Sequence, residues 1–353
     1  MIGILAAVIS ATIASADYDA AVELARKYVE GNGVPRDRRK AYELVLPGAK
    51  AGHAGCQRGL GLCYANGYGV ETNFTEAVIW TRKAVEQGDA KAIGNLGVFY
   101  LNGQGVEKNR AEAHKLLLRA SELGNAQSMC NLGQLLLMEQ KTSEAFGWMK
   151  KAADNGHAQA HYFLGRFHEC GVGMPKSEID AVASYLSGAL QGDAACQGHL
   201  GICYMLGTGA EKNPSEAIKW LSRSAEQDFA CAIFMLGLIY RDGEFVAKDE
   251  AKAAEFFQRA VAKRYLPAFS ELALLYERGL GVEKNQSRAM ELFQQGAALG
   301  GGQCLYNLGC RYYAGIGINK DNGEAVRLLE QAKAKGVREA DEFLTAIRRE
   351  MVQ

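Results

Sequence analysis

Small and apolar residues recur along the chain with a period of 36, and the unit that they mark is repeated nine times. Each copy is built around a leucine, and successive leucines are 36 residues apart, except that the step from the fourth to the fifth is 32. A fixed period of this length is typical of arrays of stacked helical repeats. The nine leucines are Leu24, Leu60, Leu96, Leu132, Leu164, Leu200, Leu236, Leu272 and Leu308.

The first half of each unit predicts an amphipathic helix, which we call helix A. A small residue stands four positions before the leucine and, in most copies, a tyrosine stands four after it, as Cys56 and Tyr64 do around Leu60. Residues spaced by four share one helical face, so these positions form a packed stripe.

The second half predicts another helix, helix B, beyond a short loop. It carries an alanine in every copy, from Ala41 to Ala325, and a second small residue seven positions later. Its start is signalled by Asn73 three residues before Glu76, a capping-box spacing that recurs in other units. We expect the large residues between the small positions to fill the seam between the helices, among them Trp80, Trp148 and Trp220.

No stretch alternates apolar and polar residues as a strand would. The pattern therefore predicts an all-α chain, a right-handed α-solenoid of stacked antiparallel helix pairs. Nine repeats would occupy residues 17–338, and residues 339–353 would form a polar helix that closes the last hydrophobic face.

The pattern A-x3-LG-x2-Y-x2-G-x-GV…A-x2-W…A resembles the Sel-1-like repeat family, a branch of the tetratricopeptide-type helical repeat proteins. The resemblance covers residues 17–353 and implies a scaffold for protein binding, without naming the partner. Two copies depart from it. The fourth reads LGQLLLMEQKTSEA and lacks the loop glycines, and the seventh reads DGEFV and lacks the second one.

The first sixteen residues, MIGILAAVISATIASA, are apolar, uncharged and end in Ala-Ser-Ala. This pattern predicts an export signal cleaved after Ala16, although no basic residue precedes the apolar part. We therefore expect a periplasmic or secreted protein. The alternative is an additional N-terminal helix covering the first repeat, in which case the protein would be cytoplasmic.

Charge and composition exclude several classes of function. Forty basic and forty acidic residues balance, so the chain lacks the basic excess of a nucleic-acid binder. No apolar stretch reaches the ~18–20 residues that span a bilayer. The 41 glycines, about 12% of the chain against a usual ~7%, fall mainly at repeating positions, which favours turn and packing roles over phosphate binding.

Catalytic, metal and cofactor chemistry is not indicated. The S-x-x-K, S-D-N and K-T-G motifs of serine β-lactamases do not occur, so we disfavour a β-lactamase-like enzyme and expect no catalysis and no cofactor. His157, His161, His168 and Cys170 cluster in the fifth unit, but His157 stands at a predicted N-cap position, and we assign no metal site. Most of the nine cysteines occupy repeating helix positions, which indicates packing.

Binding residues are expected where the repeats differ, on the concave groove lined by the A helices. The slot before the leucine varies, and the resemblance to tetratricopeptide-type proteins implies that an asparagine there contacts a bound peptide backbone. The candidates in this slot are Asn95, Asn131, Asn307, His199 and Glu271, and those in the slot five after the leucine are Glu169, Arg241 and Tyr313.

These features predict a non-catalytic adaptor that binds a peptide or partner protein. The alternatives are an exported cell-envelope or polysaccharide-associated assembly factor and a host-directed effector. Glycan binding would favour exposed aromatic platforms, whereas most aromatic residues here occupy the packed tyrosine and tryptophan slots. The sequence does not indicate the oligomeric state.

Overall fold

The computed structural model describes residues 17–352, with side chains through residue 348, and this part of the chain holds nineteen α-helices and no β-strand. It divides into two compact units, which meet in sequence at Lys176 and Ser177. The first unit contains α1 (17–30), α2 (Arg38–Lys50), α3 (Ala54–Asn66), α4 (Phe74–Glu86), α5 (Ala90–Asn102), α6 (Arg110–Glu122), α7 (Ala126–Met138), α8 (Thr142–Asp154) and α9 (Ala158–Cys170).

The second unit continues the alternation of A and B helices and adds a terminal helix. The predicted all-α repeat solenoid is thereby confirmed, with odd-numbered helices through α17 as A helices and even-numbered helices as B helices. The second unit contains α10 (Glu178–Leu190), α11 (Ala194–Leu206), α12 (Pro214–Glu226), α13 (Ala230–Asp242), α14 (Glu250–Ala262), α15 (Leu266–Arg278), α16 (Gln286–Ala298), α17 (Gly302–Ala314), α18 (Asn322–Ala334) and α19 (Arg338–Val352).

In six repeats, helix A packs on its own helix B through a glycine that follows the repeat leucine, whereas α1 and α15 carry Ala25 and Ala273 at that position. A Cβ added at Gly97 of α5 would lie 3.0 Å from Cγ of Leu117 in α6, and one at Gly201 would lie 2.7 Å from Cγ of Leu221. The B-helix residue that rests on the A helix stands four after the repeat alanine and is almost fully buried. These residues are Thr81, Leu117, Met149, Leu221, Phe257, Phe293 and Leu329.

The tryptophans three after the alanine do not all fill this seam as expected. Trp220 is buried, but Trp80 and Trp148 are half-buried, with the Nζ atoms of Lys83 and Lys151 lying 4.0 and 4.1 Å from their ring centroids. The residue at +4 is one turn from the alanine and therefore shares its face, while the residue at +3 lies at the edge of that face.

The predicted capping signals are confirmed. The side chain of Asn73 accepts a hydrogen bond of 3.1 Å from the backbone N–H of Glu76, and Pro214 opens α12. Among B helices, only α8 lacks such a side-chain cap in the described chain, and its N-cap residue is Lys141 in the fourth, shortened unit. The capping side chains belong to Asp37, Asn73, Asn109, Ser177, Asn213, Asp249, Asn285 and Asp321.

Loop glycines reverse the chain between helices, and they also allow the loop to approach the preceding repeat closely. Gly103 and Gly105 adopt φ of 71° and 69°, in the left-handed region. A Cβ at Gly105 would lie 2.2 Å from the backbone oxygen of Phe74, in the first turn of the preceding B helix. In the seventh unit Phe245 replaces this glycine, and Nζ of Lys212 lies 5.1 Å from its ring centroid.

Helix α19 closes the second unit. Its buried Ala340, Leu344 and Ile347 join the core formed by Leu328 and Leu329 of α18. Two ion pairs flank this contact, with Lys333–Asp341 at 2.6 Å and Arg348–Glu330 at 2.9 Å. The apolar side of α19 thus covers the last repeat, as the sequence pattern indicated.

Membrane spanning and export depend on different parts of the chain. Across residues 17–352, none of the helices combines the length and the apolar character required to cross a bilayer. The export signal predicted for residues 1–16 lies outside the described residues.

We predict that Gly105→Ala destabilises the protein more than Gly124→Ala does. Both residues have positive φ, which costs a residue with a Cβ about 1–2 kcal/mol, but nothing lies within 4 Å of a Cβ at Gly124. At Gly105 the backbone must also move, which adds about 1–3 kcal/mol. Urea denaturation measures both losses, and equal losses would show that the loop does not depend on this close approach.

Candidate functional site

Clefts recur at equivalent positions between successive A helices. Their walls come from the slot before the repeat leucine and the slots two, three, five and six after it, which lie on one side of helix A. Two such clefts lie early in the first unit, of about 380 Å³ between α1 and α3 and about 210 Å³ between α3 and α5. Another of about 150 Å³ lies between α7 and α9, and one of about 370 Å³ between α13 and α15 in the second unit.

The cleft between α3 and α5 combines an apolar wall with an uncommitted amide. Leu62 of α3 and Val98 and Phe99 of α5 form much of the wall. Asn95, predicted as a ligand contact, lies half-buried in the same cleft, and its side chain has no hydrogen-bond partner among the described residues. An amide offers one acceptor and two donor hydrogens, which a peptide group can satisfy.

The other two predicted asparagines are placed differently. Asn131 in α7 is half-buried, and its Oδ1 accepts a 3.1 Å hydrogen bond from Nε2 of Gln127 on the same helix. The Nδ2 atom of Asn307 is buried, with no acceptor among the described residues, while its backbone oxygen accepts a 2.8 Å hydrogen bond from Nη1 of Arg311.

His199 and Glu169 contact neighbouring side chains. The ring of His199 stacks on that of Tyr185, with centroids 5.2 Å apart. Glu169 forms an ion pair of 3.0 Å with Nη1 of Arg166, one turn earlier on α9. Both residues lie on A helices, as the repeat pattern requires.

The structure brings Arg241 and Glu271 together in the cleft between α13 and α15. Their side chains form a short ion pair, and Arg241 also donates to Asp242 at 2.7 and 2.9 Å. The bonds to Asp242 and the charge of Glu271 raise the pKa of the Arg241 guanidinium above its ordinary value. Two of the predicted ligand residues therefore satisfy each other.

Tyr313 lies against the terminal helix of the second unit. Its ring meets Phe343 of α19 edge-on, with centroids 5.4 Å apart, and Nζ of Lys320 lies 5.3 Å from its centroid. The contact with α19 shows that Tyr313 contributes to packing at the end of the array.

A buried ion pair between α15 and α17 was not predicted. Nη2 of Arg311 donates to Oε2 of Glu277 at 2.5 Å, and the guanidinium lies 4.0 Å from the ring centroid of Phe293. Arg311 is only 8% exposed because it occupies the slot three after the leucine, which holds apolar residues or cysteine in the units from the second to the eighth. A charge in an apolar slot is the signal that could have identified it.

The cysteines behave as packing residues. All nine are free thiols, and Cys56, Cys196 and Cys304 are buried in the small slot of helix A. Burial raises the pKa of Cys56 to about 11 and that of Cys304 to about 12, so both thiols are protonated at neutral pH.

The histidine cluster of the fifth unit is likewise spread among structural contacts. His157 is the N-cap residue of α9, although its side chain does not accept the capping hydrogen bond, and the His168 ring meets Phe146 edge-on. Within residues 17–348, no group of three or more His, Cys, Asp or Glu side chains is placed to hold a metal ion.

Comparison with known proteins assigns the family. The Sel1 repeat profile matches nine consecutive segments, and the chain belongs to the Sel1 repeat family. Sel1 and tetratricopeptide-like repeat proteins are typically protein-interaction scaffolds. The matched segments are residues 18–53, 54–89, 90–125, 126–157, 158–193, 194–229, 232–265, 270–301 and 302–337.

Solved structures of similar proteins share this fold. One is c5321, described as a protective antigen present in uropathogenic Escherichia coli strains, with 28% identity, a TM-score of 0.57, and coverage of 96% of this chain and 81% of that one. Another is a Sel1 repeat protein from Oxalobacter formigenes, with 26% identity, a TM-score of 0.60 and coverage of 86% and 90%. A comparison with curated protein sequences finds no match.

We predict that Glu277→Ala lowers the free energy of unfolding by about 3 kcal/mol, because it leaves the buried Arg311 cation without its partner. The double variant Glu277→Ala with Arg311→Leu should recover most of this loss, since leucine occupies the same slot at Leu135 and Leu275. Urea denaturation measures both. A double variant no more stable than the single one would contradict this account of the pair.

Proposed function

We propose that this protein is a non-catalytic scaffold that binds an extended segment of a partner protein on the A-helix side of its first unit. The observation that supports this is the cleft between α3 and α5, where the unpartnered Asn95 amide stands beside apolar Leu62, Val98 and Phe99. An extended segment buries side chains against such a wall while an amide pairs with its backbone.

In the second unit, charged side chains on the A helices already form ion pairs with each other. In the second unit, Arg241 pairs with Glu271 and Arg311 with Glu277, so these charges are neutralised within the protein. A ligand there would have to replace existing ion pairs. Binding at the cleft between α3 and α5 avoids this cost, which favours Asn95 over Glu271 and Arg241 as a contact residue.

The alternative of a polysaccharide-associated factor receives less support. Glycan binding calls for exposed aromatic faces, whereas Tyr240 stacks on Phe256 with ring centroids 5.6 Å apart and Lys83 lies over Trp80. An envelope or host-directed role remains compatible with peptide binding, because both would act through a protein partner.

We further propose that the protein is exported, because residues 1–16 are apolar and end in Ala-Ser-Ala. Expression of the full chain in a Gram-negative host should yield periplasmic protein whose N-terminal sequence begins at Asp17. Protein that retains residues 1–16 and stays in the cytosolic fraction would contradict export. The measurement is N-terminal sequencing after fractionation.

We predict that Asn95→Ala combined with Asn131→Ala weakens peptide binding about tenfold and leaves the melting temperature nearly unchanged. The probes are peptides enriched on the full chain from a phage-displayed library of 12-residue sequences, and affinity is measured by fluorescence anisotropy. Loss of one amide contact in a cleft costs about 0.5–1.5 kcal/mol, and a loss of about 0.7 kcal/mol for each of the two asparagines gives this factor.

The control variant is Asn155→Ala. Asn155 is an exposed asparagine at the end of a B helix, and its side chain donates to its own helix at the Lys151 oxygen, 2.8 Å away. This variant should bind like the wild type. Unaltered affinity in the double variant, or failure to enrich any peptide, would contradict the proposed function.

A further inference from the structure

The cleft between α1 and α3, which we call the N-terminal cleft, is larger than its equivalent one repeat later. It measures about 380 Å³, against about 210 Å³ between α3 and α5. Both clefts have the same place in the repeat, but the larger one is also lined by Ala41 and Val45 of α2 and by Lys91 of α5.

Two small residues on α3 line this larger cleft. Gly59 stands in the slot that holds Asn95 in the next unit, and Cys63 stands in the slot that holds Phe99. They are four residues apart and therefore lie on one side of the helix. Where the next repeat places an amide and an aromatic ring, this one places no side chain and a thiol, and Cγ1 of Val45 lies 3.1 Å from the position of a Cβ on Gly59.

The walls of the N-terminal cleft are mainly apolar. Val45 and Cys63 are 2% and 4% exposed and form its buried part, while Val22, Val29 and Leu62 are half-buried around it. A hydrocarbon or aromatic side chain placed here would lose contact with water on most of its surface. Burying such a side chain contributes about 1.5–3 kcal/mol.

Charged residues of opposite net sign border the cleft on two sides. On α1, Arg26 lies between Glu23 and Glu30, at 2.6 and 3.1 Å, and two carboxylates against one guanidinium give that border a net charge of −1. Across the cleft, Lys91 is exposed and forms no ion pair within residues 17–348. Arg26, together with Lys27 and Lys91, nevertheless lowers the pKa of Glu23. A ligand with a basic group near α1 and an acidic group near Lys91 would complement both borders.

We infer that the N-terminal cleft is an anchor pocket for one large apolar side chain, the size of phenylalanine, leucine or methionine, from the partner segment that binds the first unit. This inference rests on the proposed function and specifies the partner: an extended peptide in which that side chain is flanked by a basic residue on one side and an acidic residue on the other.

Charge decides between this partner and the chain's own N-terminal segment. Residues 1–16 contain no charged side chain, so they would place no additional charge opposite Lys91 or the carboxylates of α1. A foreign peptide with flanking charges satisfies the apolar wall and both borders together. Occupation by residues 1–16 or by a second copy of the chain is an outcome that the experiment can detect.

The test fills the pocket with the side chains that the protein itself uses in the same slot. Cys63→Phe introduces the residue found at Phe99, and Cys63→Leu that found at Leu135, so both variants should fold. The probes are peptides enriched on the wild-type full chain from the phage-displayed 12-residue library. We expect these peptides to share one large apolar residue with flanking charges.

Affinity should fall about tenfold for Cys63→Phe and less for Cys63→Leu. The matched control is Cys203→Phe, the same substitution in the same slot of the second unit, and it should change affinity less than about twofold. Circular dichroism and thermal melting confirm folding of each variant. Equal affinity of wild type and Cys63→Phe, with both folded, would overturn the anchor pocket.

Reversing the charge of Lys91 tests whether the peptide prefers charged residues beside its large apolar side chain. Lys91→Glu should weaken peptides with an acidic flanking residue about fivefold, and replacing that residue of the peptide by lysine should restore binding. If the exchange has no effect in either direction, the proposed orientation of the peptide is wrong.

The outcomes separate the anchor pocket from the proposed function. Peptides that lose affinity for the Asn95/Asn131 double variant but bind Cys63→Phe normally would retain the scaffold and reject the pocket. Peptides affected only by Cys63→Phe would reject the asparagine contacts and retain the pocket.

Binding of a different occupant would give a different experimental result. A concentration-dependent dimer abolished by Cys63→Phe in sedimentation experiments would assign the cleft to a second copy. Tighter peptide binding after Leu5→Asp, measured on the uncleaved full chain, would assign it to residues 1–16. Either result would overturn the assignment to a foreign peptide.

Discussion

The close approach of helix B to helix A within each repeat is the constraint on which the structure depends. In six repeats a side chain of helix B rests where a Cβ on helix A would stand, so that position is glycine, and in α1 and α15 it is alanine, the next smallest residue. At Gly97 an added Cβ would lie 3.0 Å from Leu117 Cγ, and at Gly237 one would lie 2.6 Å from Phe257 Cε1. The repeat leucine, the glycine or alanine after it and the two small slots of helix B are therefore fixed by packing, and variation is greatest on the side of helix A that faces away from its own B helix.

That confinement explains why clefts recur at one place in the repeat and differ in chemistry. The same five slots form an apolar cleft with a free amide between α3 and α5 and an ion-paired cleft between α13 and α15. Buried ion pairs such as Arg311 with Glu277 add little net stability over apolar residues of similar size, but removing one partner is costly. The second unit's charges thus serve to hold neighbouring A helices, whereas the first unit retains polar and apolar surface that its own residues do not satisfy.

Much of the fold could be predicted because each repeat presents the same evidence nine times. The helix pairs, the asparagine caps and the loop glycines all follow from constant positions. The residue that fills the seam was harder to predict, because Thr81, Met149 and Phe257 share burial but neither size nor identity, whereas tryptophans recur in three units one position earlier. Their amphipathic rings lie at the edge of the same face.

The candidate site was less predictable, since the slots could be identified but not the partners of their side chains. Asn95 and Arg241 are both in variable slots, yet only the structure shows that Arg241 is paired with Glu271 and that Asn95 is not. The N-terminal cleft was not predicted because small residues, Gly59 and Cys63, line it. In a single sequence, small residues do not indicate a binding site.

The central claim is that an extended peptide binds along the A helices of the first unit. Photo-cross-linking tests this most directly, with benzoylphenylalanine introduced into the full chain at Asn66, in the cleft between α3 and α5, or at Ile79, which is 43% exposed on a B helix. Illumination with a bound library-selected peptide should give a covalent product from position 66 and none from position 79. Cross-linking from position 79 alone would contradict the account.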